Sequence, residues 1–280
     1  MTDQELQLKA VRLRQRMLRL ISNAGAGHTG GGLSCLDVLN VLYNRVMNVT
    51  PETVKSPHRD HYVQSKGHCV EALYAVLADR GYFPDADLNT VCHYKSPYVG
   101  HPTRKIKGVE MNTGALGHGL PVCLGMAIAA KMDGAPFRVF TLLGDGEMAE
   151  GSNWEAAMAA AHHGLDNLVA ILDHNTLQIT GHTRDVMSNE PIDEKLAAFG
   201  WDVRTIDGHD YDQLTKALTD PGPEGKPIFV IANTVKGKGV SFMENVAKWH
   251  HGVPSEAELT QALAELDQQA AKLSSKESAQ

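Results

Sequence analysis

Apolar residues recur at spacings of three and four from Leu6 through Ala10, Leu13, Met17, Leu20 and Ile21, the repeat of a helix with one buried face. This predicts a first helix over about residues 4–22, stopped by the turn-forming run Asn23-Ala24-Gly25-Ala26-Gly27. Ser34 to Tyr43 predicts a second helix with Ser34 as N-cap, and Val70 to Leu77 a third that ends near Gly81. From about residue 110 helix and strand patterns alternate. Leu116 to Met132 is small and apolar and predicts a buried helix; Trp154 to His163 predicts an alanine-rich one. Val139–Leu143, Leu168–Leu172, Trp201–Ile206 and Ile228–Ala232 are apolar runs of strand length. Continuous apolar strands alternating with helices predict an α/β fold, a mostly parallel sheet flanked by helices on both faces. Ser255-Glu256-Ala257-Glu258 fits a capping box and opens a last helix over about residues 255–274, whose stripe is Leu259, Leu263, Leu266, Ala270 and Leu273. The polar run Ser274 to Gln280 is expected to fray. No repeat or low-complexity linker divides the chain, so a single domain over residues 1–280 is expected.

Composition narrows the classes. Hydrophobic residues make up 42% and charged residues 21%, an ordinary globular balance with ample material for a core. A net charge of −7 argues against non-specific nucleic-acid binding, because no basic surplus exists to displace counterions. Cys35, Cys69, Cys92 and Cys123 form no C-x-x-C pair and suggest reduced thiols in a cytoplasmic protein. The charged, amphipathic start is no signal peptide, and no run approaches the roughly 20 apolar residues of a membrane span. One excess stands out: 14 histidines, several beside glycine, where backbones come close to ligands.

The strongest local signal is Gly144-Asp145-Gly146, followed about thirty residues later by Asp173-His174-Asn175, each just after an apolar strand. A right-handed β-α-β crossover puts both strand ends on one edge of the sheet, about 4.8 Å apart. Asp145 and Asn175 can then reach one cation, as oxygen ligands suited to Mg²⁺ or Ca²⁺, with the Leu177 carbonyl as a third. The flanking glycines let a diphosphate approach the backbone, and a helix opening after Gly146 would offer it an N-terminus. A bare G-D-G is more often a tight turn with a capping aspartate; the paired asparagine reverses that weighting. Gly114-x-x-Gly117-x-Gly119 superficially suggests a nucleotide loop, but it is not G-x-G-x-x-G and no G-x-x-x-x-G-K-[ST] occurs.

Gly144-Asp145-Gly146 through Asn175 resembles the thiamine-diphosphate fingerprint, and neighbouring segments resemble the transketolase family in the same order. These are Gly27-His28-Thr29-Gly30, Ser65-Lys66-Gly67-His68, Gly100-His101-Pro102, Thr113-Gly114-Ala115-Leu116-Gly117-His118-Gly119 and His251-Gly252, over about residues 5 to 260. The resemblance implies a three-layer thiamine-diphosphate-binding fold. It implies Asp145, Asn175 and the Leu177 carbonyl as ligands of Mg²⁺ (Ca²⁺ or Mn²⁺ being possible). It implies Gly146, His68 and His251 on the cofactor's phosphates, and Gly114 and Leu116 near its aminopyrimidine. His28, His101 and His251 would face the donor sugar as catalytic groups, and Glu150 would reach toward the partner's catalytic glutamate. Transfer of a two-carbon ketol unit needs a proton taken from a sugar hydroxyl, a task that suits a neutral histidine; thiamine diphosphate itself carries the hard step. Read singly, each of these histidines is more often a turn, capping or loop residue. His118, His162, His163, His174 and His250 are taken as surface or packing residues, and His209 as part of a turn before a helix.

Departures from the family pattern are Thr29 where proline is usual, His118 where glutamine is usual, and the segment Val235 to Phe242. The first and last bring the chain closer to split, two-gene transketolases and to deoxyxylulose-phosphate synthase. The motifs of a pyrimidine-binding domain are missing, so the expectation is a partner subunit that carries that domain and the C-terminal one, in an α₂β₂ assembly acting on sugar phosphates. A half of a 2-oxo-acid dehydrogenase or of a deoxyxylulose-phosphate-synthase-like enzyme, a nucleotide-binding enzyme and a non-catalytic subunit that keeps the fold are the competing readings.

Overall fold

The computed structural model describes residues 1–277. Helix α1 (Asp3–Ala24) starts in a capping box, Thr2 accepting from the Glu5 N–H while Glu5 accepts from the Thr2 N–H, and stops at Gly25, whose φ of 65° returns its N–H to Ile21 and Ser22. Helix α2 (Thr29–Val41) begins five residues before the predicted Ser34 cap. Gly30, Gly31 and Gly32 lie inside it despite their poor propensity, because neighbours press there. A Cβ would meet the Trp249 carbonyl at 2.9 Å, the Cys69 Sγ at 2.8 Å and the Met17 Sδ at 2.8 Å respectively. Ser34 is a mid-helix residue whose hydroxyl turns inward to Asp173.

Strand β1 (His61–Gln64) has only four residues and no apolar run to announce it. Helix α3 (Val70–Asp79) follows. Helix α4 (Gly119–Met132) starts later than predicted, since Leu116 to His118 form a loop around Gly117 at φ 80°. Only one face of α4 is buried, through Leu120, Cys123, Ala127 and Ala130, while Met132 is 81% exposed; the expectation of a buried helix is corrected. β2 (Val139–Gly144), α5 (Gly151–His162), β3 (Leu168–His174), a short α6 (Thr183–Val186), α7 (Ile192–Phe199), β4 (Asp202–Asp207), α8 (Tyr211–Thr219) and β5 (Ile228–Asn233) complete the alternation. Helix α9 (Glu256–Glu277) opens at the capping box of Ser255 and Glu258. It continues past the predicted end near 274, held on α1 by Gln4 to the Leu273 carbonyl and Gln15 to Asp267. The fraying expected of residues 278–280 lies outside the described residues.

The five strands are all parallel, in the order β1-β2-β3-β5-β4. Their side chains alternate between two cores. Phe140, Leu142, Val169, Ile171 and Val230 face α1, α2, α3 and α8. Val139, Leu143, Leu168, Leu172, Phe229 and Ile231 face α4, α5 and α7. The three layers leave the carboxyl ends of β2 and β3 opening on one edge. No helix among the described residues is long and apolar enough to cross a membrane.

Candidate active site

Gly144 on β2 lies opposite Asp173 on β3, so Asp145 and Asn175 leave neighbouring strands side by side. The Asp145 carboxylate accepts the Gly146 N–H at 2.8 Å and the Thr176 N–H at 2.5 Å, which ties it to the turn that Asn175 begins. That turn is strained: Thr176, a β-branched residue, holds φ at 64°. The Asn175 Oδ1 accepts from the Leu177 N–H at 3.2 Å, and the Leu177 carbonyl accepts from Lys236 Nζ at 3.0 Å. Burial, and secondly the charge of Asp173, push the Asp145 carboxyl up to about 6. A cation beside it would reverse that push. Carboxylate, amide and carbonyl oxygens are the donor set a hard divalent ion takes. Among the described residues no three His, Cys, Asp or Glu side chains gather to hold a metal, so any ion here relies on the asparagine and the carbonyl. After Gly146 comes a single tight turn, Gly146–Ala149, with α5 following it, rather than a helix opening directly on the cleft.

Beneath this turn lies a layer of buried charge. Lys66, 2% exposed, forms an ion pair with Asp173, which is fully buried. Burial works against the Lys66 charge, but Asp173 more than offsets it and holds the ammonium well above its ordinary pKa. Glu147, also buried, accepts from Ser65 Oγ at 2.5 Å and from the N–H groups of Gly117 at 2.9 Å and Gly144 at 3.0 Å. It thus pins the end of β2 to the 114–119 loop. Lys236 is 2% exposed and its pKa is lowered, first by burial and then by the Lys66 charge. These groups border a cleft of about 270 Å³ whose wall includes His28, His68, Gly114, Leu116, Gly146 and Asn175. The Lys236 ammonium, with the Asp173-paired Lys66 beside it and the side-chain-free backbone of Gly146 on the same wall, fits an anionic diphosphate tail.

Five histidines converge at the mouth. The His28 ring centroid lies 5.0 Å from His68, 6.3 Å from His101, 5.6 Å from His250 and 4.7 Å from His251. His28 is held by the start of α2 and by a backbone bridge to Gly252, reinforced by Thr29 Oγ1 donating to the Gly252 carbonyl at 2.6 Å. Burial, with His68, His251 and His101 also contributing, lowers the His28 pKa to about 4. Burial, followed by Lys236, lowers that of His250 to about 3. Burial, followed by His68, lowers that of His101. Neutral imidazoles near pH 7 can accept a proton or orient a hydroxyl.

The histidine on the cleft wall is His250, stacked on His68 at 5.5 Å and bonded by Lys236 Nζ at 3.0 Å. The packing role expected of it is corrected. His251 is exposed and does not line the cleft, although its ring lies 4.7 Å from that of His28 in an edge-to-face contact. Glu150 is exposed beside Gly117 and does not line the cleft. His118, His162 and His163 lie at the surface. His209 does more than make a turn: its Nε2 accepts from the Val235 N–H, so its Nδ1 is the donor to Asp37. Lys66, Glu147, Asp173, Lys236 and His250 are the site residues the motif reading passed over. Their signal was present as charge inside apolar or glycine-flanked runs, as in Leu168 to Asp173, where burial demands a partner.

The family model described as the thiamine diphosphate binding domain of transketolase matches residues 6–272. The chain is 46% identical over 274 residues to one of the subunits of the apulose-4-phosphate transketolase of Phocaeicola vulgatus, covering 98% of each. It is 42% identical over 269 residues to a 6-deoxy-6-sulfo-D-fructose transketolase subunit of a Clostridium species, covering 95% of this chain and 98% of that one. Among solved structures it matches transketolase from Campylobacter jejuni with a TM-score of 0.85 and 31% identity, covering 99% of this chain and 49% of the other. It thus spans nearly all of the subunits and about half of that longer transketolase.

Proposed function

Since the chain belongs to the transketolase family through its thiamine diphosphate binding domain, we propose that it is the diphosphate-holding subunit of a two-chain transketolase. The complex would move a two-carbon ketol unit from a ketose to an aldose. The observation that carries this reading is the convergence of Asp145 and Asn175 at paired strand ends, directly below the histidine cluster. Asp145, Asn175 and the Leu177 carbonyl would hold Mg²⁺, with Ca²⁺ or Mn²⁺ as substitutes. Lys236, His68 and the backbone at Gly146 would meet the phosphates. Gly114 and Leu116 would line the ring end, and Glu150 would face the partner. When bound, thiamine diphosphate supplies the nucleophilic carbon that takes up the two-carbon unit. The chain's own work is to orient the sugar and handle protons. His28, His101 and His250 are neutral near pH 7, by burial first. One of them can take the hydroxyl proton while the others hydrogen-bond the oxygen that becomes negative. His251, at the rim, would contact the outer part of the sugar.

The need for a partner has support besides the names of the relatives, which call them subunits. Val122 on α4 joins the exposed Met111 and Ala115 around a second, partly apolar hollow, on the same 111–118 segment whose Gly114 and Leu116 line the cleft. A pyrimidine-binding subunit seated there, in an α₂β₂ assembly, would cover it and close the site. Apulose 4-phosphate and 6-deoxy-6-sulfo-D-fructose, from which two of the relatives take their names, both pair a ketose with a terminal anion, and the substrate of this chain would be of that class. Free thiols at all four cysteines fit a reducing compartment, the cytoplasm.

The test is reconstitution. The chain, mixed with its partner subunit, thiamine diphosphate and Mg²⁺, should release the shortened sugar phosphate from apulose 4-phosphate when an aldose acceptor is present. Turnover by the chain alone, or consumption of pyruvate in place of the ketose, would overturn the proposal.

A further inference from the structure

Asn175 presents a carboxamide whose two ends have nearly the same shape, so close packing alone does not choose which end faces the cleft. Only the oxygen can ligate a cation. We propose that Asp173, as a buried acceptor of hydrogen bonds, is a positioning residue that fixes the Asn175 amide with its oxygen on the cleft side. The inference rests on the reading of Asp145 and Asn175 as metal ligands.

Asp173 is fully buried at the end of β3, and each side-chain group within hydrogen-bond reach of its carboxylate is a donor: an ammonium, two hydroxyls and an amide NH₂. Its Oδ2 takes hydrogen bonds from Lys66 Nζ, from Ser34 Oγ at 2.6 Å and from Asn175 Nδ2 at 3.1 Å; its Oδ1 takes one from Thr234 Oγ1. Four donors from α2, the β1–α3 turn, the β3 end and the segment after β5 therefore converge on one carboxylate. An Asn175 oxygen turned toward it would place acceptor against acceptor in a dry site. The NH₂ end is forced inward, and Oδ1 is left toward the Leu177 N–H and the cleft beside Asp145. Lys66 also donates to the Gly31 carbonyl at 3.3 Å, so the direction of this amide is set by α2 as well as by the sheet. Nothing in the site requires Asp173 to touch the ion.

The test is Mn²⁺ binding to the chain reconstituted with its partner subunit and thiamine diphosphate, read by paramagnetic resonance of free Mn²⁺ and accompanied by a thermal melt of each variant. Asp173→Ala frees the amide to turn and should weaken Mn²⁺ by about 10- to 100-fold, the usual effect of removing a group that orients a ligand. Asp173→Asn keeps an acceptor oxygen facing Lys66, Ser34 and Asn175 and should stay within about threefold of the unaltered chain, a difference under 1 kcal/mol. Asn175→Asp in the Asp173→Ala background needs no orientation, because both ends are oxygen and one pairs with Lys66; it should recover most of the lost affinity. Asn175→Asp alone sets carboxylate against carboxylate and should not.

Equal loss in Asp173→Ala and Asp173→Asn, or no recovery in the double variant, would overturn the positioning role while the metal reading stands. No Mn²⁺ binding by the unaltered chain would overturn both. Should Asp173→Ala fail to fold, the unaltered, metal-free chain gives the answer by nuclear magnetic resonance: the Asn175 NH₂ protons should exchange slowly with solvent. Fast exchange would mean that they face the cleft.

Discussion

Glu71 lies on α3 at 1% exposure, its Oε2 without a hydrogen-bond partner and its Oε1 so close to Gly27 that a Cβ there would stand 3.0 Å away. Burial lifts its carboxyl from 4.5 to about 8. A folded-state pKa above the unfolded one means that stability is fully present below pH 4.5 and falls as pH rises toward 8. Each pH unit in that window costs about 1.4 kcal/mol, so the loss is about 3 kcal/mol at pH 7 and about 5 kcal/mol at pH 8 and above. Glu71→Gln has the same shape and does not titrate. The substitution should be nearly neutral at pH 5 and should stabilise the chain by about 3 kcal/mol at pH 7. Urea denaturation of both proteins at pH 5, 6, 7 and 8 measures the gap between their unfolding free energies. The gap should open with pH and level off above 8. Two parallel pH profiles would mean that Glu71 is ionised in the folded chain, refuting the assignment of a buried neutral acid behind His28.

The remaining predictions concern the cleft and the core. His250→Ala should lower the turnover of the reconstituted complex by about 10²-fold or more, as expected for a group that handles a proton or orients a reacting hydroxyl, while His251→Ala should act mainly on KM; the reverse order in steady-state kinetics would return the inner position to His251. Gly67→Ala would place a Cβ 2.7 Å from Thr113 Oγ1 and 2.8 Å from the Gly114 nitrogen; the shifted loop should cost about 1–3 kcal/mol in urea denaturation and weaken thiamine diphosphate in calorimetric titration. Asp37→Ala removes the acceptor of Arg14 at 3.0 and 2.7 Å, of Tyr211 at 2.6 Å and of His209 at 2.7 Å. It strands a buried guanidinium and should cost about 3–5 kcal/mol by the same assay.

What was legible in the sequence was what repeats or what chemistry forces. The apolar strand runs gave β2 to β5, and the spacing from Asp145 to Asn175 gave their meeting point, since a parallel crossover admits few alternatives. β1 escaped because four residues carry too little pattern, and its place is set by pairing with β2 rather than by its own sequence. The start of α2 was misplaced because three glycines read as a loop until the neighbours crowding them are known. Among site residues, those beside glycine stood out, whereas Lys66, Glu147 and Asp173 are defined by partners distant along the chain. His250 and His251 are adjacent in sequence, so only the path of the chain through residues 247–251 decides which of them enters the cleft.

Lys66 and Lys236 line one small cleft, and after burial the charge of the first is what most depresses the pKa of the second. Asp173 already pairs with Lys66, whereas among the described residues no carboxylate forms an ion pair with Lys236, so its charge is the one that an anion in the cleft would settle. Loading therefore relieves a tension that folding built in, and the loaded chain should be the more durable form. A cell short of the vitamin would then hold this subunit in its less durable form.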